Sequence, residues 1–225
     1  MKLIIANRNY SSWSLRPWLV LKHFGIPFDE EQVLLNGEGW KEIIRKKSPS
    51  GKVPVLIDGD AVVHESLAII EYLHDKYPAK GIWPSNRIER AAARSAAAEM
   101  HGGFGALRDT APMNLRASHP GRVDFEVVAA DLRRIEQIWG DLTQRSGGPF
   151  LFGNFSGVDA MYAPVASRIR TYALPVSDAA QDYVDAIYDL PAFKEWLAAA
   201  KQEPWVVDHD EIDVIQGKSG TAVGA

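Results

Sequence analysis

Ser50-Gly-Lys-Val-Pro-Val-Leu-Ile-Asp-Gly-Asp-Ala-Val-Val-His-Glu-Ser-Leu-Ala-Ile-Ile-Glu-Tyr-Leu73 packs three elements into one short stretch. The apolar runs Val53–Ile57 and Ala61–Val63 flank Asp58-Gly59-Asp60, and an Asp-Gly turn between two such runs predicts a hairpin. Past His64 the period changes. Leu67, Ile70 and Leu73 recur at helical spacing, which predicts a helix from Glu65 to about Tyr77. Upstream, Leu3–Ala6 reads as a short buried strand and Asn7–Ser12 as a polar loop. A helix from about Ser14 to Phe24 then places Leu15, Trp18, Leu19 and Phe24 on its apolar side. Proline has no N–H and belongs in a first turn, so Pro17 places the start of that helix between Trp13 and Arg16. Gly25 is expected as its C′ residue, with Pro27 just beyond. A second strand is expected over about Phe28–Leu35, and a short basic helix or irregular segment over Gly39–Lys47. The order β-α-β, connector, β-β-α predicts an α/β half: a mixed sheet of about four strands with helices on its faces.

The character of the chain then changes. Prolines and a glycine interrupt every periodicity between Tyr77 and Asn86, so residues 80–86 are expected to link a first domain, 1–79, to a second, 87–210. That second domain reads as all-helical. An alanine-rich helix is expected from Arg87 to about Leu107 and an amphipathic one over Asp124–Arg145. Shorter helices follow at about 157–171, 178–188 and 191–201. Ser156-Gly-Val-Asp159 has the pattern of a capping box, a structural role. Residues 211–225 are expected to be a flexible tail, because Gly217–Ala225 is small and polar.

Composition narrows the chemistry. The 225 residues are 46% hydrophobic and 24% charged, with a formal net charge of −4. Residues 1–85 hold 11 basic and 10 acidic side chains against 14 and 19 in the remainder, so no basic field exists for nucleic acid. There is no cysteine, which removes disulfides, thiolate metal sites and a thiol nucleophile of the protein's own. Any sulfur chemistry must use a ligand's sulfur. The N-terminus turns polar too early for a signal-peptide core, and no apolar run nears the roughly 18 residues of a membrane span. A cytoplasmic protein away from membranes is expected. No His or acidic pair has metal-ligand spacing, so no metal is expected.

Tyr10-Ser-Ser-Trp-Ser-Leu-Arg16 sits between the first strand and the first helix, where orphan N–H groups and the helix dipole favour an anion. A serine hydroxyl there could donate to a bound thiolate and lower its pKa from about 8.5 towards roughly 6.5, worth about 2.7 kcal/mol. Serine is also a preferred N-cap, which explains the same residues without a ligand. For Val53-Pro54, the general rarity of cis bonds points to trans; a cis bond would offer the Val53 backbone to an extended peptide. Glu65-Ser66 could receive an ammonium and a carboxylate, or could simply open a capped helix. Together these describe a thiol end, a backbone middle and an amino-acid head.

With that combination in view, Tyr10–Arg16, Ser50–Leu56 and His64–Leu73 resemble the motifs of the cytosolic glutathione transferase family, over nearly the whole chain. The Ser-Ser-x-Ser-x-Arg segment is most similar to the serine-type, zeta-like branch, which includes maleylacetoacetate isomerases. The resemblance implies a thioredoxin-like first domain, an all-α second domain, a homodimer, and glutathione as co-substrate. It assigns the thiolate to Ser11, or to Ser12 under a one-residue shift. It implies that Val53 pairs with the cysteinyl backbone, that Pro54 is cis, and that Glu65 and Ser66 hold the γ-glutamyl end. Lys52 or Lys41 would meet the glycyl carboxylate. Trp13 stands where the zeta-like isomerases have cysteine, and the lack of cysteine argues against the thiol-disulfide exchange of the omega and beta branches.

The second domain is expected to wall a site for a small hydrophobic electrophile, with Trp13, Met100, Phe104, Arg108 and Met113 as candidates. Met and Phe at helical spacing are more often plain core, and Arg108 fits a carbonyl-polarising group, an acidic substrate or a surface salt bridge. His101 is not assigned as a base. Arg45-Lys46-Lys47 reads as a solvated face or as steering for anionic glutathione. The expected activity is glutathione transfer. The alternatives are zeta-like cis-trans isomerisation, or a non-catalytic interaction or ligand-carrier protein.

Overall fold

The computed structural model describes residues 1–35 and 37–215. The first third runs β1 (Lys2–Ile5), α1 (Ser12–His23), β2 (Asp29–Gln32), α2 (Trp40–Arg45), β3 (Val55–Asp58), β4 (Ala61–His64) and α3 (Ser66–Lys76). A 3-10 turn at Pro78–Lys80 leads into α4 (Arg87–Gly102), α5 (Gly105–Thr110), α6 (Phe125–Ser146), α7 (Gly157–Tyr172), α8 (Asp178–Asp189) and α9 (Pro191–Gln202). A second 3-10 turn, Asp208–Asp210, precedes α10 (Ile212–Ile215). The strands form one sheet in the order β2-β1-β3-β4, with β1 and β2 parallel and the other pairs antiparallel. Leu3, Ile4 and Ile5 of β1 are fully buried inside it. The edge strand β2 reads Asp-Glu-Glu-Gln and is half-exposed at best, a polar composition suited to an unpaired edge. Its ladder is shorter than the expected Phe28–Leu35.

The first helix departs from expectation at its start. It begins at Ser12 with Ser11 as N-cap, so Pro17 lies in the second turn rather than the first. The donor lost at Pro17 is outweighed by tertiary packing: Leu15 to Leu21 are all buried between the sheet and the helical domain. The end is as expected. Gly25 has φ of +59°, and Ile26 N–H and Gly25 N–H donate to the carbonyls of Leu21 (2.9 Å) and Lys22 (3.2 Å). The expected single helix from Arg87 to Leu107 is two. It stops at Gly102, Phe104 takes φ of +58°, and α5 restarts at Gly105. A Cβ at Gly103 would lie 2.7 Å from the Glu99 carbonyl oxygen, so only glycine lets the chain turn there.

The two halves are packed together rather than strung apart. Ile82 and Trp83, in the expected linker, are both buried. Gly157 N–H donates to the Ile82 carbonyl at 2.8 Å, which sets the start of α7 against the linker. A Cβ at Gly157 would meet Ile70 Cγ2 at 2.9 Å and the Trp83 ring at 2.9 to 3.0 Å. Gly157→Ala is therefore expected to cost about 1–3 kcal/mol of stability, read as a lower urea midpoint at unchanged slope. From there α7 is buried along nearly its whole length. The capping box at its start is present: Asp159 accepts from Ser156 N–H at 2.8 Å. The same carboxylate accepts from Ser156 Oγ (2.9 Å), Leu151 N–H (3.0 Å) and the Tyr183 hydroxyl (3.0 Å).

The expected tail at 211–225 is corrected at its start, because residues 211–215 are structured. Glu211 accepts from the Tyr10 hydroxyl and from Asn114, and α10 follows. Residues 216–225, including the stretch from Gly217, lie outside the described residues. Among the described residues no helix is long and apolar enough to cross a membrane.

Candidate active site

One cleft runs along the C-terminal side of the sheet, in two joined cavities of about 440 and 300 Å³. Trp13, Lys52, Val53 and Arg108 line both. The larger cavity opens on the N-terminus of α1, with Ser11 and Ser12 in its wall. Both serines are more than nine-tenths buried. Ser11 Oγ lies 2.8 Å from Ser14 Oγ and receives a long bond from Ser14 N–H (3.4 Å). Ser14 Oγ in turn accepts from Ala6 N–H at 3.1 Å. The Ser11 hydroxyl donates to Ser14 Oγ, and the same proton reaches an anion in the cavity once the hydroxyl rotates outward. The Ser12 hydroxyl, at the first helical position, makes no hydrogen bond among the described residues.

The far end of the cleft is built at the start of α3. The Val53–Pro54 bond is cis, as the resemblance implies and against the general frequency of trans bonds. Val53 lies just outside the β3 ladder, which begins at Val55. Glu65, with φ of +71°, is the N-cap of α3 and lines the smaller cavity beside Pro54. Ser66 is 1% exposed and its Oγ has no partner among the described residues. A buried hydroxyl without a partner at a helix N-terminus has the chemistry to donate to an anion.

The other candidates divide. Lys52 borders both cavities, whereas Lys41 is exposed on α2 over the Trp40 ring and lines neither. Met113 and Arg108 line the larger cavity. Met100 and Phe104 do not. They are buried in the helical core, Phe104 facing Tyr162. Arg108 makes no ion pair among the described residues; its Nη1 donates to the His101 carbonyl at 3.1 Å. His101 stands edge-on to Trp13, and burial holds its pKa below the usual histidine value despite Glu65 at 3.7 Å. It is a neutral wall at neutral pH. No group of three or more His, Cys, Asp or Glu among the described residues could hold a metal ion.

Sequence reasoning missed the groups that brace the loop from the helical domain. Glu203, at the end of α9, is 7% exposed, and its carboxylate accepts from Arg8 N–H (2.8 Å), Asn9 N–H (3.1 Å) and Gln32. Arg116 donates to the Tyr10 hydroxyl at 2.7 Å and to the Trp205 carbonyl at 2.8 Å. No local pattern marks these residues. Their partners are far away along the chain.

Fold and cleft together define a thioredoxin-like sheet backed by a helical domain, with a cleft that opens on the N-terminus of α1. The sequence matches two family models: "Glutathione S-transferase, N-terminal domain" over residues 10–76 and "Glutathione S-transferase, C-terminal domain" over 90–199. It is 27% identical over 192 residues to a probable maleylacetoacetate isomerase of Caenorhabditis elegans, covering 83% of this chain and 87% of that one. Two solved structures share its fold. A glutathione transferase homolog from Burkholderia with bound glutathione superimposes with a TM-score of 0.69 at 22% identity, over 90% of this chain and 98% of that one. A bacterial maleyl pyruvate isomerase of the zeta class gives 0.68 at 22% identity, over 92% and 100%. The chain belongs to the glutathione S-transferase family and is similar to its zeta class.

Proposed function

We propose that the protein is a glutathione transferase that binds glutathione along this cleft and presents its thiolate to a second, electrophilic substrate. The observation that supports it is the joining of two helix N-termini in one cleft, Ser11 at one end and Glu65 at the other, beside the buried and unpartnered Ser66 hydroxyl, with Val53 between. In this reading Ser66 and the α3 N–H groups receive the γ-glutamyl carboxylate, and Glu65 meets the ammonium. Val53 pairs with the cysteinyl backbone, and Lys52 faces the glycyl carboxylate. The Ser11 hydroxyl, turned from Ser14 to the cavity, donates to sulfur and holds it as thiolate near neutral pH. The sulfur lone pair then forms the S–C bond with the electrophile, held beside it by the cavity wall.

A second outcome of the same attack is supported by the relatives named as isomerases: addition of the thiolate, rotation about the former double bond, and elimination of the thiolate unchanged. Two domains, 1–79 and 87–210, and a homodimer belong to the same reading; Val62 on β4 and Ile88 on α4 are exposed apolar residues suited to a contact between copies.

The test is a pH titration of bound glutathione followed by thiolate ultraviolet absorbance. The bound thiol is expected to ionise near 6.5, about two units below its free value. Binding with an unshifted pKa would make the protein a carrier, and no binding would overturn the reading.

A further inference from the structure

A separate cavity of about 330 Å³ lies in the helical domain, among α7, α8, α9 and the chain that follows α5. It shares no lining residue with either part of the cleft. Three cations line it and no carboxylate does: Arg116 from the chain after α5, Arg170 from the last turn of α7 and Lys201 from the last turn of α9. Arg116 is half-buried and gives its terminal nitrogens to the Tyr10 hydroxyl and to the carbonyls of Glu203 and Trp205, none of them a charge. Neither Arg116 nor Lys201 is in an ion pair among the described residues, and the Arg116 Nε–H makes no hydrogen bond there. Arg170 does pair with Asp185, but that carboxylate stands outside the cavity wall. The acids nearest in the fold are committed elsewhere. Glu203 accepts from Arg8 N–H, Asn9 N–H and Gln32, and Glu211 from Tyr10 and Asn114.

The remainder of the wall is of another kind. Leu115, Ala117 and Leu197 present apolar surface beside the cations. Tyr188 lies under Arg170, whose cation is 3.6 Å from its ring centre. The Tyr188 hydroxyl makes no hydrogen bond among the described residues, and burial pushes its pKa up to about 12, so it is a neutral donor. Cations withdrawn from water without a counter-charge lose hydration that a bound anion restores. A small inorganic anion would leave the leucines facing water. An anion carried on a flat apolar body satisfies both parts of the wall, and the volume falls in the range of small-molecule pockets, at its lower end.

We infer that this cavity is a second binding site, for an aromatic carboxylate, with the carboxylate received by Arg116 and Lys201 and the ring laid against Leu115, Ala117 and Leu197. The fork of an arginine suits a carboxylate, and Lys201 adds a second charge from the rim. The inference does not depend on the cleft being a glutathione site. One side chain nevertheless joins the two places: Arg116 lines this cavity and also holds Tyr10, the residue before Ser11. An occupant here would grip a brace of the loop at the start of α1.

The absence of cysteine from the chain makes a local test possible, because one introduced thiol reports on this cavity alone. Ser118 is exposed, lines the cavity and makes no side-chain hydrogen bond among the described residues. The rate at which iodoacetamide alkylates Ser118→Cys is followed against 1-naphthoate and against its neutral counterpart 1-naphthamide. Naphthoate is expected to slow alkylation, half-maximally at a concentration about tenfold or more below that of naphthamide, about 1.4 kcal/mol. Acetate over the same range is expected to have no effect, since it has nothing to place against the leucines. Adding Arg116→Met should bring naphthoate to the level of the amide. If that variant does not fold, the exposed Lys201→Gln must weaken protection by naphthoate about threefold. No protection by naphthoate overturns the inference, as does equal protection by acid and amide, protection by acetate as strong as by naphthoate, or an acid preference that survives these substitutions. The assay contains no glutathione, so its failure leaves the reading of the cleft intact, and the thiol titration decides that reading by itself.

Discussion

Ser11→Ala is expected to return the bound glutathione thiol to its free pKa, a rise of about two units, and to lower kcat/KM about 25-fold at pH 7 through the lost thiolate. The reason is the place of the hydroxyl. Ser11 lines the larger cavity at the N-terminus of α1, and its proton, given to Ser14 Oγ in the structure, is the one that can turn to the sulfur. Ser14→Ala should produce a smaller change, because Ser11 keeps its proton and loses only the oxygen that holds it. Ser12→Ala is the comparison. Its hydroxyl holds nothing in the loop, so the pKa is expected to stay within a few tenths of a unit of wild type. Ser11→Ala also removes an N-cap, at about 1 kcal/mol. Ser11→Thr keeps both hydroxyl and cap, and should retain most activity, which separates the two effects. If Ser11→Ala and Ser12→Ala both leave the thiol pKa unshifted from wild type, the serine mechanism is wrong.

Asp159→Ala is expected to be the most damaging single change to stability, at about 3–5 kcal/mol out of roughly 5–15 for a protein of this kind. Four donors converge on this fully buried carboxylate, two of them backbone N–H groups, and alanine would leave all four facing apolar surroundings. Asp159→Asn tests the same site at nearly constant volume and should lose less. It should also change the pH profile. Burial pushes the Asp159 carboxyl pKa up from 3.8 to about 6. A raised carboxyl pKa means the folded chain holds that proton more tightly than the unfolded one. Its contribution is therefore complete below about pH 4 and lost as pH rises through about 6. Denaturant midpoints measured from pH 4 to 7 should show that slope in wild type, and asparagine should remove it.

What could be seen beforehand followed from local chemistry. The Asp58-Gly59-Asp60 hairpin, the Gly25 helix end and the Ser156–Asp159 box each need a few neighbouring residues, and the structure has all three. Boundaries moved where packing overrode local preference. Pro17 sits in a second turn because its helix is buried on all sides, and Gly103 broke a helix that alanine content alone would have continued. The end of the cleft proposed for glutathione was legible through resemblance, since its residues lie in short motifs. The larger cavity was legible in part: Trp13, Arg108 and Met113 line it, but Arg168 reaches it from α7, far along the chain, with no local pattern to mark it. Met100 was misplaced for the converse reason, because helical spacing identifies an apolar face without saying what it packs against.

Glu203 gives the reactive loop a dependence on the order of synthesis. Its carboxylate closes on Arg8 N–H and Asn9 N–H from 195 and 194 residues further along the chain. The sheet and every side chain proposed to touch glutathione leave the ribosome in the first third of translation. The anchor for the loop before Ser11 arrives only after α9. A chain that stops before Glu203 would thus carry the residues proposed to meet glutathione with the loop before Ser11 unbraced.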